Sequence, residues 1–363
     1  MKILYAIQGT GNGHLSRARD IIPILRRKGE VDILISGIQS DIELPYDVKY
    51  KLKGLSFIFG KEGGVNILET YKKANMRRLF REVNSLPVEQ YDLIINDFEP
   101  VSAWACFMKN KDCISLSHQS AVINKRSPKP VHTDLLGKAV LKNYAPTTIQ
   151  YGFHFKPYDK NIFTPVIRKQ VREIGLQTKN YYTVYLPAYN DEKIIQVLSE
   201  FENTEWQVFS KHNKKSYRQK NISIFPINND AFVNSMAASE GVLCGAGFET
   251  PAEALFMQKK LLVIPMKNQY EQHCNAAALS AMGIPVLKSL KKKHADKILK
   301  WIESGVIISV NYPDITEKII DTVMETKLNL HKPLQPGKKS YSAKKFRKIS
   351  LKKIFAHLTL PAK

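Results

Sequence analysis

The stretch Gly245-Ala246-Gly247-Phe248-Glu249-Thr250-Pro251-Ala252-Glu253-Ala254-Leu255 follows an apolar run, Gly241-Val242-Leu243-Cys244, that reads as a buried strand. It then opens a helix: Thr250 suits the cap, Pro251 the first helical position, and residues 252–257 propagate well. A glycine-loosened turn feeding a helix start exposes free backbone N–H groups, backed by roughly half a unit of positive charge. Such a turn is a seat for phosphate, and Glu253 lies close enough to reach whatever that phosphate carries. An ordinary strand–loop–helix joint, with small residues for packing, is the other reading of the same residues.

Strand and helix signals alternate on both sides of this stretch. The N-terminal half predicts strands over 2–7, 31–36, 91–96 and 113–116, with helices over 15–28, 67–86 and 101–108 between them. Between 151 and 180 the pattern loosens, and Pro157, Pro165 and several charges suggest an interdomain connection. It resumes with strands over 181–186, 207–210, 223–225, 242–244 and 261–264, and helices over 192–202, 231–238 and 271–282. Alternation of this kind argues for parallel sheets covered by helices. A chain of 363 residues suits two such units. The expected architecture is α/β: two Rossmann-like domains, 1–155 and 156–330, facing each other across a cleft, followed by a basic tail over 331–363.

Composition narrows the classes. Apolar residues make up 44%, enough for sizeable cores. The opening apolar run ends at Gln8-Gly9, too early for a signal peptide, and no stretch approaches the roughly 18 apolar residues of a membrane span. The four cysteines (Cys106, Cys113, Cys244, Cys274) form no CxxC pair and no zinc spacing, which predicts a reduced, cytoplasmic setting. Net charge is +22, and half of the excess lies in eleven Lys and Arg residues after Glu325, the last acidic residue. That asymmetry points to an anionic surface, either nucleic acid or an acidic leaflet. No nucleic-acid motif accompanies it, so no specific nucleic-acid partner is expected. Within the tail, Phe346, Ile349, Ile354, Phe355 and Leu358 fall mostly on one helical face with lysines opposite. The tail reads either as an interfacial helix on an anionic membrane or as a last helix folded back on the N-terminal domain.

Two further clusters carry chemistry. The first βα junction, Gln8-Gly9-Thr10-Gly11-Asn12-Gly13-His14-Leu15-Ser16-Arg17-Ala18, alternates three glycines, which lets backbone approach a ligand closely. It is a poor dinucleotide fingerprint: the third glycine is misplaced, and the second strand ends in Ser36-Gly37 instead of a carboxylate. His14, at the helix start, projects toward the strand-end cleft, as an imidazole that removes a hydroxyl proton would. A capping or packing histidine is the alternative. After the 261–264 strand, Pro265-Met266-Lys267-Asn268-Gln269-Tyr270-Glu271-Gln272-His273-Cys274-Asn275-Ala276 gathers carboxylate and amide groups suited to vicinal hydroxyls, or simply to a solvated loop.

Taken in order, Gly9 to Gly13 with His14, Gly247-x-x-Thr250-x-x-Glu253-Ala254, and Pro265 followed by Glu271-Gln272-x-x-Asn275-Ala276 resemble the glycosyltransferases of the GT-B fold. The pattern is similar to the peptidoglycan-precursor N-acetylglucosaminyltransferases and the galactolipid synthases, over roughly residues 1–310. The resemblance implies a nucleotide-sugar donor, with a UDP-sugar the expected form. By position, Gly245, Ala246, Gly247 and Thr250 would cradle its diphosphate, helped by Gly11 and Gly13 across the cleft. Glu253 would bind the ribose, Glu271 and Gln272 the sugar hydroxyls, and Ile227 would lie near the base. The family more often carries aspartate or glutamine where Glu271 stands.

The chemistry implied is displacement at the anomeric carbon with inversion, His14 deprotonating an acceptor hydroxyl that is lipid-linked or part of a cell-envelope glycan. Asp97 is the second catalytic candidate, as an orienting group for His14 or as a base itself, with Glu99 and His118 as further bases. The chain has no Asp-x-Asp motif, so neither metal nor cofactor is expected. The rival readings are a nucleotide-sugar epimerase on the same scaffold and a non-catalytic nucleotide-sugar-binding protein. The expected place is the cytoplasm, with the tail as a peripheral attachment to the inner membrane face.

Overall fold

The computed structural model describes residues 1–37, 44–55, 75–132 and 134–330. The basic tail from 331 onward, with its expected helix, lies outside the described residues, as does most of the first part of the expected 67–86 helix.

Among those residues the first sheet contains β1 (Lys2–Gln8), β2 (Glu30–Ser36), β3 (Tyr50–Leu52), β4 (Leu93–Asp97), β5 (Ile114–Leu116), β6 (Ile149–Phe153) and β7 (Ile162–Phe163). They lie side by side as β3-β2-β1-β4-β5-β6-β7, every pair parallel. Parallel neighbours need crossovers, and among the described residues the connections that leave β1, β3, β4 and β5 run through helices. These are α1 (Asn12–Lys28), α2 (Met76–Ser85), α3 (Pro100–Met108), α4 (His118–Ile123) and α5 (Leu135–Asn143). α1 forms because Leu15, Ala18, Ile21, Ile22 and Leu25 recur at helical spacing and bury against the sheet. Each large aliphatic side chain contributes about 1.5–3 kcal/mol by that burial. Its last turn carries Arg26, Arg27 and Lys28, which suit the negative end of the helix.

The segment expected as a connection instead supplies β6 and β7 before the short helix α6 (Lys169–Glu173). The prolines lie outside both strands, so they do not interrupt the ladder. The second sheet holds β8 (Tyr182–Tyr185), β9 (Trp206–Ser210), β10 (Tyr217–Gln219), β11 (Ile222–Pro226), β12 (Gly241–Gly245) and β13 (Lys260–Ile264) in the order β10-β11-β9-β8-β12-β13. Only the β10–β11 edge is antiparallel. Its helices are α7 (Asp191–Leu198), α8 (Asn229–Ala238), α9 (Glu249–Phe256), α10 (Tyr270–Ala281) and α11 (Ala295–Glu303). Tyr182, Trp206 and Trp301 anchor one face of this core, their rings in contact.

The last described helix, α12 (Thr316–Leu330), returns to the first sheet's side and packs against α1. Ile319, Ile320 and Val323 are buried there, Lys28 pairs with Asp321 at 2.7 Å, and the hydroxyls of Tyr151 and Thr326 lie 2.7 Å apart. A helix does fold back on the N-terminal unit, therefore, but it precedes the tail. Among the described residues no helix is long and apolar enough to cross a membrane.

Two Rossmann-like units thus face each other. In each sheet the strand order reverses at one point, between β1 and β4 in the first and between β8 and β12 in the second. Ligands of such sheets bind outside the carboxyl ends of the strands at these reversals. The loops there are those after β1, β4, β8 and β12; of these the sequence singled out the ones after β1 and β12 and named Asp97 at the end of β4, while its third cluster follows β13.

Candidate active site

The loop after β1 is drawn tight by Gly9, whose N–H donates to the Ser36 carbonyl at 2.7 Å. Gly11 caps α1 with φ at +94°, a backbone region that side-chain-bearing residues avoid. No side chain caps α1, and no acidic residue lies in its first turn. His14 and Arg17 lie three residues apart and share one face of that first part of the helix.

Both meet Asp97 at the end of β4. His14 Nδ1 lies 2.8 Å from Asp97 Oδ1, and Arg17 donates to both oxygens, at 2.9 and 2.7 Å. Burial alone would push the fully enclosed Asp97 carboxyl up, but Arg17 and then His14 outweigh it and hold it below the usual range. An ionised acceptor at Nδ1 fixes that nitrogen as the N–H donor and leaves Nε2 as the basic one. Nε2 is approached by Gln119 Nε2 of α4 at 3.4 Å, and the same amide donates to Glu271 Oε2 of α10 at 3.1 Å. One side chain therefore separates His14 from a residue of the opposite unit.

Arg17 makes a second crossing. It is 2% exposed, lies over the Phe153 ring at 5.1 Å, and donates through Nη1 to Glu249 in the first turn of α9. Burial pushes the Glu249 carboxyl up to about 7, against the pull of Arg17. α9 starts at Glu249, with Phe248 in the capping position and no side chain accepting from its N–H groups. Thr250 was expected to cap. It lies instead inside the first turn, because the backbone at Phe248 is already helical. Pro251 still falls in the first turn, where an N–H would have no intrahelical partner.

Glu253 is 2% exposed and gripped by Arg168, whose Nη2 donates to Oε2 at 2.8 Å and whose Nε donates to Oε1. Arg168 also donates to Asn229 Oδ1 at 2.6 Å, which ties Glu253 to the start of α8. Half-buried Ile227 stands two residues before Asn229, at the carboxyl end of β11. Gly245 ends β12 with room above it: a Cβ there would lie 3.7 Å from Gln272 Oε1, and one on Gly247 would meet nothing. Gln272 accepts from the Met266 N–H at 2.8 Å, so it shapes the β13–α10 loop. The Ala246 carbonyl accepts from Asn275 at 3.1 Å.

The two reserve bases are otherwise engaged. Glu99, fully buried, caps α3 by accepting from Val101 and Ser102 N–H at 2.7 and 2.6 Å and from the Ser36 hydroxyl at 2.5 Å. His118 stacks on Phe248 at 3.9 Å, with Nδ1 against the Phe153 carbonyl and Nε2 against Asn275 Oδ1, both at 2.8 Å. Its burial pushes its pKa down, and its place is structural, between the units. Arg17, Arg168, Glu249 and Gln119 were not among the expected site residues. Helical spacing held a signal for two of them: Arg17 follows His14 by three, and Glu249 precedes Glu253 by four. No group of three or more His, Cys, Asp or Glu able to hold a metal ion occurs among the described residues.

A sequence model described as glycosyl transferase family 1 matches residues 1–303. The chain belongs to that family. This glycosyltransferase shares its fold with solved structures of low identity. One is MurG of Acinetobacter baumannii, 13% identical, with a TM-score of 0.52 over 89% of this chain and 99% of that one. Another is the glycosyltransferase SnogD from Streptomyces nogalater, 12% identical, with 0.51 over 90% and 95%. A third is Phytolacca americana UGT2 complexed with UDP-2-fluoro-glucose and pterostilbene, 10% identical, with 0.55 over 91% and 95%. No curated protein sequence matches the glycosyltransferase. Its two Rossmann-like units are those of the GT-B fold.

Proposed function

We propose that this glycosyltransferase moves a sugar from a nucleotide-sugar, a UDP-sugar by preference, to an acceptor hydroxyl, with inversion and without a metal. One observation carries the reading. A histidine oriented by a buried carboxylate stands at the glycine loop, within one side chain of Glu271, while Arg17 reaches the uncapped start of α9.

In this reading His14 Nε2 takes the acceptor proton as the hydroxyl attacks the anomeric carbon, and Asp97 steadies the imidazolium that forms. The bond from that carbon to the diphosphate breaks, and charge grows on the leaving phosphate. Free N–H groups near Gly247 and Thr250, with the α9 dipole behind them, meet that charge, Gly11 leaves room for it on the other side, and Gly13 gives the close approach that Glu249 now takes. Glu253, held by Arg168, offers its remaining lone pairs to the ribose hydroxyls, and Ile227 lies on the side of the base. Glu271 and Gln272 face the sugar.

A panel of nucleoside diphosphates and nucleotide-sugars tests this by thermal unfolding. A ligand at a hundred times its Kd stabilises by about 2.7 kcal/mol. One nucleotide family should raise the Tm, and Glu253→Gln should lose most of that rise. Incubation with acceptor should release the free nucleoside diphosphate. Recovery of an altered nucleotide-sugar would point to epimerisation instead.

A lipid-linked acceptor at an anionic membrane is the finer form of the reading. Besides the basic tail, it is supported by Val131 and Leu135, 95% and 76% exposed, among the exposed cations Lys125, Arg126 and Lys138. Exposed apolar side chains with cations close by in sequence suit an acidic leaflet. The protein should sediment with anionic vesicles but not with neutral ones, and Val131→Asp with Leu135→Asp should weaken that binding. Equal recovery with both vesicle types would remove the membrane from the picture.

A further inference from the structure

The cluster around Arg17 sets two carboxyl groups against one guanidinium. Arg17 faces two carboxylates, Asp97 through one arm of its guanidinium and Glu249 through the other. Asp97 alone is sufficient to neutralise it. A surplus buried charge is costly, and Glu249 bears it at the place where an incoming phosphate would sit: the first turn of α9, against the glycine loop. The loop accommodates it closely, since a Cβ on Gly13 would lie 2.9 Å from Glu249 Cγ. The third nitrogen of Arg17, Nε, is buried and finds no partner among the described residues.

We propose that Glu249 is a place-holder for the donor's phosphate, holding Arg17 while the cleft is empty and yielding it when a diphosphate docks. The proposal rests on the nucleotide-sugar reading above and extends it in two ways. First, it names Arg17 as the cation that meets the leaving diphosphate. A guanidinium fork fits phosphate and carboxylate oxygens alike, and phosphate offers more of them and more charge. Arg17 lies on the same helix face as His14, so a phosphate on it would be next to the reacting centre. Second, it makes donor entry an exchange. The Arg17–Glu249 contact ties the two units together when empty, and the diphosphate takes over that tie. Glu249, repelled by the phosphate, then turns out of the contact.

Glu249→Gln keeps the shape of the side chain and its acceptor oxygen while removing the charge. The empty variant should melt at least as high as wild type, because the charge it loses is the surplus one that burial disfavours. It should also bind the nucleoside diphosphate more tightly, by about tenfold or more, because like charges set against each other in an interface are strongly unfavourable. A side chain that merely braced the fold would lose both properties together. Arg17→Lys keeps the charge without the fork and should bind more weakly.

Isothermal titration with UDP, and with ADP, GDP, CDP and dTDP in parallel, reads all three proteins. Tighter binding by the glutamine variant, with weaker binding by the lysine variant, supports the exchange. Equal or weaker binding by the glutamine variant, where wild type binds, overturns the place-holder and leaves the nucleotide-sugar reading standing. No binding of any of the five to wild type or to either variant overturns both.

Discussion

Replacing His14 by alanine is expected to lower turnover about 100- to 10,000-fold, the usual worth of a well-placed general base, with nucleotide affinity nearly unchanged. The expectation follows from where the ring sits. Its Nδ1 is committed to Asp97 and its Nε2 points toward the contact with Gln119, in the gap that Glu271 closes from the other unit. The neighbouring candidates are poorly placed to take over: Glu99 is sealed beneath α3, and both nitrogens of His118 are engaged. Steady-state rates read kcat, and titration with nucleoside diphosphate reads binding. Near-normal turnover by the variant would exclude His14 as the base.

Asp97→Ala should have two effects of different kinds. The first is on stability. Removing the carboxylate takes two charged hydrogen bonds from Arg17, 2% exposed, each worth about 1.5–3 kcal/mol, and leaves it Glu249 as counter-ion. Chemical denaturation should show the midpoint falling accordingly. The second is on the reaction: without an acceptor at Nδ1, His14 loses both its orientation and its tautomer. Asp97→Asn separates the two, since the amide fills the same space. It should restore part of the lost stability while turnover stays low. An alanine variant as stable as wild type would show that Arg17 does not depend on this carboxylate.

Much of this was legible in the chain, and the reasons are local. Glycines at fixed intervals after an apolar strand have few structural uses, so the β1–α1 and β12–α9 loops announce themselves. The α/β alternation follows from period alone. What sequence hid was mostly a matter of who faces whom. Arg17 and Glu249 are 232 residues apart, and nothing in either segment says that they touch. Arg168 looked like part of a charged connection, yet it clamps Glu253. β6 and β7 were obscured because Pro157, Pro165 and scattered charges dominate a stretch whose strands are short. The 67–86 helix is described only from Met76, where Asn75 caps it by accepting from Arg78 N–H at 2.9 Å.

Because α12 ends on the opposite half from α11, the polypeptide passes from one half to the other and back again. Two separate tethers then join the halves, one ahead of β8 and one behind α11. A single tether would let the halves swivel freely about any direction, whereas a pair leaves one easy hinge, about the line through both. Any breathing of this enzyme is thereby steered toward a repeatable clamshell stroke, returning His14 and α9 to the same register on each cycle.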